Sequence, residues 1–158
     1  MKKKIISVCF AAMLMMGLTI TAEFPTNANE SKPMLDGSYL TCEDESTGIA
    51  GLMTRGADLQ TGYSKLRELG PGKIYAGGTT IAQHEVESIQ VTVMVERAKD
   101  ENDTWHYVDT WHKENKNTIS VSTSKMLEVE PDWYYRVRCI HSAGNDMSSS
   151  LTNGLYID

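Results

Sequence analysis

The sequence is poor in the residues that build metal centres and catalytic sites. Its 158 residues include three cysteines and four histidines, and no C-x-x-C or H-E-x-x-H pattern places them at the spacing of zinc ligands. It also lacks a G-x-S-x-G turn for a nucleophilic serine and a glycine-rich loop for phosphate binding. We therefore predict no catalytic residues, no metal site and no cofactor, and we predict that the protein is not an enzyme.

Positive charge is scarce as well. The chain has 15 lysine and arginine residues against 21 aspartate and glutamate residues, which makes its formal net charge −6 at pH 7. Nucleic acids and anionic membrane surfaces repel a protein of this charge. We therefore predict that neither is a partner.

Only one long apolar run is present, and it lies at the N-terminus. Residues 5–20 carry no charge, follow three lysines at positions 2–4, and precede a short polar segment with small residues up to Ala28. This order predicts a secretory signal peptide at residues 1–28, with Ala22 as the alternative cleavage point. The protein is therefore predicted to be secreted and extracellular, and no second apolar stretch would insert the mature chain into a membrane.

Two cysteines, Cys42 and Cys139, remain once the signal peptide and Cys9 are removed. An even pair in an exported protein permits one disulfide bond. The alternative is two separate thiols, one of them buried. His141 shares the strand parity of Cys139, so a catalytic Cys–His pair is conceivable, and the alternative is that both belong to the core.

From residue 73 onward, apolar and polar side chains alternate with a period of two. Within residues 86–97 the pattern predicts that Ile89, Val91, Val93 and Val95 point inward together. Segments of this kind recur about every ten residues, with turn residues between them, which indicates a β-sandwich or barrel.

We therefore predict an all-β fold with one immunoglobulin-like antiparallel sandwich. The predicted organisation is a signal peptide at residues 1–28, a flexible polar lead at residues 29–53 and the sandwich domain at residues 54–158. Frequent glycines between residues 37 and 72 predict turns there rather than long helices.

Two sets of side chains are candidates for binding. Trp105, Tyr107 and Trp111 are predicted to share one strand face, where a flat aromatic strip could stack on sugar rings. The alternative is that these rings pack in the core.

The second set lies on the strand that follows Pro131. Tyr134, Arg136 and Arg138 are predicted to point outward, opposite the inward side chains Tyr135 and Val137. An exposed face of tyrosine and arginine suits a protein contact. The alternative is that side chains of a neighbouring strand cover it.

The region around residues 127–150 resembles part of a fibronectin type III module. Val129 and Pro131 precede a Tyr135-x-Val137-x-Cys139 strand and a hairpin that contains Gly144. The resemblance implies a tyrosine corner, in which the Tyr135 hydroxyl bonds back to the chain just upstream.

A second resemblance covers residues 54–157. Its motifs are Arg55-Gly56, Gly78-Thr79-Thr80-x-Ala82, Val91-Thr92-Val93, Glu96-Arg97, Trp105-x-x-Val108-x-x-Trp111, Tyr134-Tyr135-Arg136-Val137 and Thr152-x-Gly154. This succession is similar to a group of small secreted proteins of Gram-positive bacteria that forms a domain family of unknown function. The resemblance implies secretion and a single domain, and it implies no activity, cofactor or site residue.

Together these observations predict a secreted, non-catalytic binding or envelope-associated module. Its predicted partner is an extracellular protein or a cell-wall glycan. The alternatives are a secreted effector or inhibitor that acts on another protein, and an enzyme whose site the sequence does not reveal.

Overall fold

The structure is a computed structural model that describes residues 39–50 and 56–158. The predicted signal peptide and the first part of the predicted lead lie outside the described residues, so they stay predictions. Within the described residues every regular element is a β-strand, and no helix is present that could cross a membrane. The prediction of an all-β fold is confirmed.

Eight strands form the domain. They are β1 (Leu40–Thr41), β2 (Glu45–Ile49), β3 (Leu59–Glu68), β4 (Lys73–Ala98), β5 (His106–Glu128), β6 (Trp133–Ala143), β7 (Asp146–Leu151) and β8 (Gly154–Ile157). They join into one sheet in the order β1-β8-β6-β4-β3-β2, with β5 paired to β4 and β7 paired to β6. The short β1–β8 pair is parallel and the other described pairs are antiparallel, so the sheet is mixed rather than purely antiparallel.

The long strand β4 organises the sheet, because its two halves pair with different neighbours. Residues 73–82 pair with β3 and with the second half of β5, whereas residues 86–98 pair with the first half of β5 and with β6. Between them the register shifts, since Ile81 lies opposite Ser120 but Val86 lies opposite Thr118. Extra residues in one strand bend it, and the sheet curls at this point.

The curl brings the two halves of the sheet face to face, which is consistent with a β-sandwich-like arrangement. The Cys139 sulfur on β6 lies 3.8 Å from the carbonyl oxygen of Gly77 on the first half of β4. A Cβ atom at Gly78 would lie 2.6 Å from the same sulfur, so the close approach requires glycine there.

The core lies between these halves, and its predicted members are buried. Seven side chains are fully buried: Ile89, Val91, Val93, Val95, Tyr135, Val137 and Cys139. The Tyr135 hydroxyl donates a 2.8 Å hydrogen bond to the carbonyl of Glu130, five residues upstream. The hydrogen bond expected of a tyrosine corner is therefore present, while the family resemblance itself stays a prediction.

Strands β1 and β2 differ from the sequence prediction, because both come from the segment assigned to a flexible lead. Ser46 and Gly48 are the buried positions of β2, and the Ser46 hydroxyl accepts a 3.0 Å hydrogen bond from the backbone NH of Asn153. Small and polar inward residues carry no hydrophobic periodicity, so the strand pattern was not visible. The sheet therefore begins before residue 54.

Candidate functional site

The predicted aromatic strip does not share one face, and a β-bulge is the reason. Val95 on β4 lies opposite Asp109, but Glu96 lies opposite Tyr107, so Val108 is an extra residue in β5. The bulge places Tyr107 on the outer face, where it is 66% exposed, and leaves Trp111 packed against the core.

Trp105 has a separate position, just before β5 begins. The Arg136 guanidinium stacks on its ring at 4.1 Å from the ring centroid. The prediction of a flat strip formed by Trp105, Tyr107 and Trp111 is therefore wrong. Trp111 instead fits the alternative that the ring packs against the core.

The predicted outward face of β6 is largely occupied by the protein itself. Arg136 is only 1% exposed, because it lies beneath Trp105 and its Nε is 2.7 Å from Glu96 Oε2. Arg138 reaches the same carboxylate oxygen at 3.4 Å and stays partly exposed. Tyr134 packs edge-on against Tyr156, with ring centroids 5.2 Å apart.

Arg136 is therefore corrected from a candidate partner-binding residue to a structural one. The cross-strand register places Glu96 directly opposite Arg136, and Trp105 then covers the pair. A guanidinium that is paired and covered in this way stabilises the fold and is not available to a partner.

The two cysteines are free thiols. Cys42 is exposed and Cys139 is buried, so the structure contains no disulfide between them. Burial raises the pKa of the Cys139 thiol to about 12. Because the thiolate is the nucleophile, a thiol held neutral in the core is chemically inert.

A buried hydrogen-bonded chain runs through His141 and joins the two halves of the sheet. Thr80 Oγ1 donates to the carbonyl of Gln90 at 2.8 Å and lies 2.9 Å from His141 Nδ1. His141 Nε2 lies 2.8 Å from the hydroxyl of Ser150. Since the single Thr80 proton is used by Gln90, the geometry assigns the proton to Nδ1 and makes Nε2 the acceptor from Ser150.

The hydrogen-bonded chain contains a serine and a histidine, the residue types of a nucleophile and its base, but neither is accessible. His141 is 0% exposed and Ser150 is 3% exposed, so no substrate reaches either group. Burial lowers the pKa of His141 to about 4, which keeps the ring neutral at ordinary pH. A Cβ atom at Gly62 would overlap the ring, so the site is packed shut, and the His141 network is a core element.

An open groove lies elsewhere, on the outer face of the first half of the sheet. It encloses about 650 Å³. Its lining residues are Thr47, Tyr63, Lys65, Tyr75, Gly77, Gly78, Thr79, Ile81, Lys113, Ser122, Thr123 and Ser124. We call this cavity the groove.

Strand register explains how these residues meet. One cross-strand row contains Tyr63, Thr79 and Ser122, and the next contains Lys65, Gly77 and Ser124. The intervening positions on β3 and β4 point into the core. Every second residue therefore contributes to the outer surface, and three strands supply one continuous polar face.

Gly77 shapes the groove because it leaves the middle of this face without a side chain. The Tyr75 hydroxyl lies 3.1 Å from the position that a Cβ atom at residue 77 would take. Tyr63 lies in the neighbouring row, opposite Thr79. Across β2, β3, β4 and β5 the row through Gly77 spans about 14 Å, at the usual spacing of neighbouring strands. The result is an open groove along this row, lined by two tyrosines and by several serine and threonine hydroxyls.

The charged groups of the groove are cationic. Lys65 and Arg67 on β3 both contact Glu45 on β2, at 3.2 Å and 4.0 Å. A smaller adjoining cavity is lined by Lys65, Arg67, Leu69, Tyr75 and Met126. Lys113 approaches from β5, and within the described part of the chain it forms no ion pair.

Sequence reasoning missed the groove because it treated residues 37–72 as turn-rich. The signal was present in residues 62–67, where Gly62, Ser64 and Leu66 alternate with polar and aromatic neighbours. A serine and a glycine on the inward side hid the pattern, since neither is a hydrophobic marker.

Within residues 39–50 and 56–158, no group of three or more histidine, cysteine, aspartate or glutamate side chains could hold a metal ion. Comparison with protein families, with curated proteins and with solved structures finds no match to this chain.

Proposed function

We propose that the protein is a secreted, non-catalytic module that binds a glycan chain in the groove. The observation that carries the proposal is the groove, whose lining combines two tyrosines with several hydroxyl groups. Secretion rests on the signal peptide predicted from residues 1–28. A glycan outside the cell is the partner whose chemistry this combination suits.

The chemistry of a sugar chain matches the lining of the groove. Each ring has an apolar face of C–H groups, and the rings of Tyr63 and Tyr75 can stack against such faces. The hydroxyls of Thr79, Ser122 and Ser124 both donate and accept, as sugar hydroxyls do. An open site accepts one stretch of an extended polymer, whereas small-molecule sites enclose most of the ligand surface.

A glycan suits the groove better than a protein does, and a comparison of the β6 face around Arg136 with the groove gives the reason. The face that suited a protein contact has lost Arg136 to an internal ion pair. The groove instead offers small hydroxyl side chains and two tyrosines, and serine and threonine are under-represented at protein hot spots. An effector or inhibitor function would use a protein partner, so the same experiment tests it.

The experiment is affinity electrophoresis of residues 29–158 in gels that contain soluble polysaccharides, neutral and acidic. We expect retardation by at least one polysaccharide and roughly tenfold weaker binding for Tyr63→Ala and for Tyr75→Ala, which corresponds to about 1.4 kcal/mol. Tyr107→Ala is the matched control, because Tyr107 is an exposed tyrosine outside the groove.

The outcome that contradicts the proposal is equally clear. If Tyr107→Ala weakens binding while both groove variants bind as the parent does, the glycan site lies on the other face. Thermal unfolding of each variant checks that a loss of binding is not a loss of fold.

A further inference from the structure

The groove is positively charged, although the protein as a whole is negatively charged. Its chain carries more acidic than basic residues, with a formal net charge of −6. Yet neither the groove nor the adjoining cavity has an acidic residue in its lining, and the two are lined by Lys65, Arg67 and Lys113. The acidic residue that contacts Lys65 and Arg67 is Glu45, which pairs with both of these cations.

The cations come from the strands on both sides of β4. Lys65 and Arg67 belong to β3. Lys113 belongs to β5, on the other side of β4, where it lies opposite Val91 in the second half of β4 and still lines the groove. Lys113 is exposed, and its ammonium group has no anionic partner among the described residues. A ligand in the groove therefore meets positive charge from both strands that flank β4.

We infer that the ligand of the groove is an acidic glycan, a polyhydroxylated chain with anionic groups along its length. This inference rests on the proposed glycan-binding function and specifies its ligand class. A neutral glycan would need only the tyrosines and hydroxyls, whereas an acidic one also uses Lys113 and the cations of β3. Complementary charge in a protein that is otherwise negative supplies the specificity.

Uronate carboxylates and phosphodiesters both supply such a charge, and both accept hydrogen bonds from an ammonium group. The shared requirement is an anion on a chain of hydroxyl-bearing units. Glu45 opposes anion binding at Lys65, because a bound anion there must compete with its carboxylate. The anionic group nearest Lys113 meets no such competitor within the described residues.

The test uses three probes of defined chemistry: polygalacturonate, the same polymer with its carboxylates reduced to alcohols, and poly(glycerol phosphate). Calorimetric titration at low ionic strength measures each affinity. We expect an acidic probe to bind at least about tenfold more tightly than the reduced polymer, and this preference to fall as salt screens the charges. Which acidic probe binds identifies carboxylate or phosphate as the source of charge.

Two substitutions locate the charge recognition. Lys113→Gln should lower affinity for the acidic probe several-fold and leave affinity for the reduced polymer unchanged. Lys116→Gln is the matched control, because Lys116 is an exposed lysine of the same strand outside the groove lining. It should change neither affinity.

The acidic-glycan inference and the proposed function fail in different ways. If the reduced polymer binds as tightly as the acidic probes and still requires Tyr63, the inference is overturned and glycan binding stands. If Lys116→Gln and Lys113→Gln have equal effects, charge recognition is not located in the groove. If no polysaccharide binds under any condition, both proposals are overturned.

Discussion

The outer faces of the two halves of β4 both combine aromatic rings with cationic side chains. Around the second half, Trp105, Arg136 and Glu96 contact one another, and Arg136 is almost completely covered. Around the first half, Tyr63, Tyr75 and Lys65 line the open groove. Similar residue types therefore serve the fold on one face and remain open to a ligand on the other.

The two faces differ in the partners of their charged side chains. Glu96 is within reach of two arginines on β6, and Trp105 stacks on Arg136, so this guanidinium is paired and shielded from water. On the first half, the ion pairs of Glu45 are exposed and long. Removing one partner of a covered ion pair destabilises the fold strongly, because the other charge is left buried. Removing one partner of an exposed pair changes the stability little.

The largest expected effect concerns the covered face. Arg136→Ala should lower the free energy of unfolding by about 3 kcal/mol, because it removes the buried guanidinium beneath Trp105 and leaves Glu96 with only the partly exposed Arg138. Urea unfolding followed by fluorescence measures the change. Arg138→Ala is the control, and because its side chain is partly exposed it should cost under about 1 kcal/mol. Equal losses for the two variants would show that the face is not organised around Arg136.

The next effect concerns the His141 network, which holds the groove half against the other half. The pKa of His141 is about 4 in the folded protein, below its ordinary value of 6.5, so the folded state binds fewer protons between these values. Stability is therefore complete above about pH 6.5 and is lost as the pH falls towards 4. The expected loss is about 3 kcal/mol, from about 1.36 kcal/mol for each pKa unit.

Urea unfolding between pH 7 and pH 4 measures this loss. Carboxylates also titrate near the lower limit, so the informative quantity is the difference between variants. His141→Gln should flatten the dependence on pH in this window, whereas the exposed His112→Gln should retain the parental slope. A parental slope in His141→Gln would assign the acid sensitivity to other groups.

The smallest effect concerns the open face. The double variant Lys65→Gln, Arg67→Gln should change the free energy of unfolding by less than about 1 kcal/mol, because both ion pairs with Glu45 are exposed. The same variant should weaken binding of an acidic glycan. A loss of stability as large as that of Arg136→Ala would make the two faces equivalent and would remove the contrast between them.

Much of the core was predictable from the sequence. Alternation in residues 86–97 and in the Tyr135-x-Val137-x-Cys139 strand correctly placed seven buried side chains, because a strand turns successive residues to opposite sides. The same rule failed at Trp105, Tyr107 and Trp111. A bulge at Val108 reverses the parity there, and a bulge is defined by the register with the partner strand.

The groove could not be predicted from the sequence, because its prediction requires the strand pairing. Its rows join residues of β3, β4 and β5 that lie far apart in the chain, and Lys113 belongs to a different part of β5 from Ser122 and Ser124. Nothing in the local pattern of residues 59–68 indicates which strands would pair with them. The segment around β2 was harder to read, since its buried positions are Ser46 and Gly48.

The sequence by itself determined which side chains share a face of a regular strand, and hence the all-β class and part of the core. That information is local, because it depends only on the two-residue repeat of a strand. Only the tertiary structure decided that Arg136 would be covered, that His141 would be sealed and that the face around Gly77 would stay open. Each of these outcomes depends on neighbours brought in from distant strands, and a periodic pattern along one strand contains no record of them.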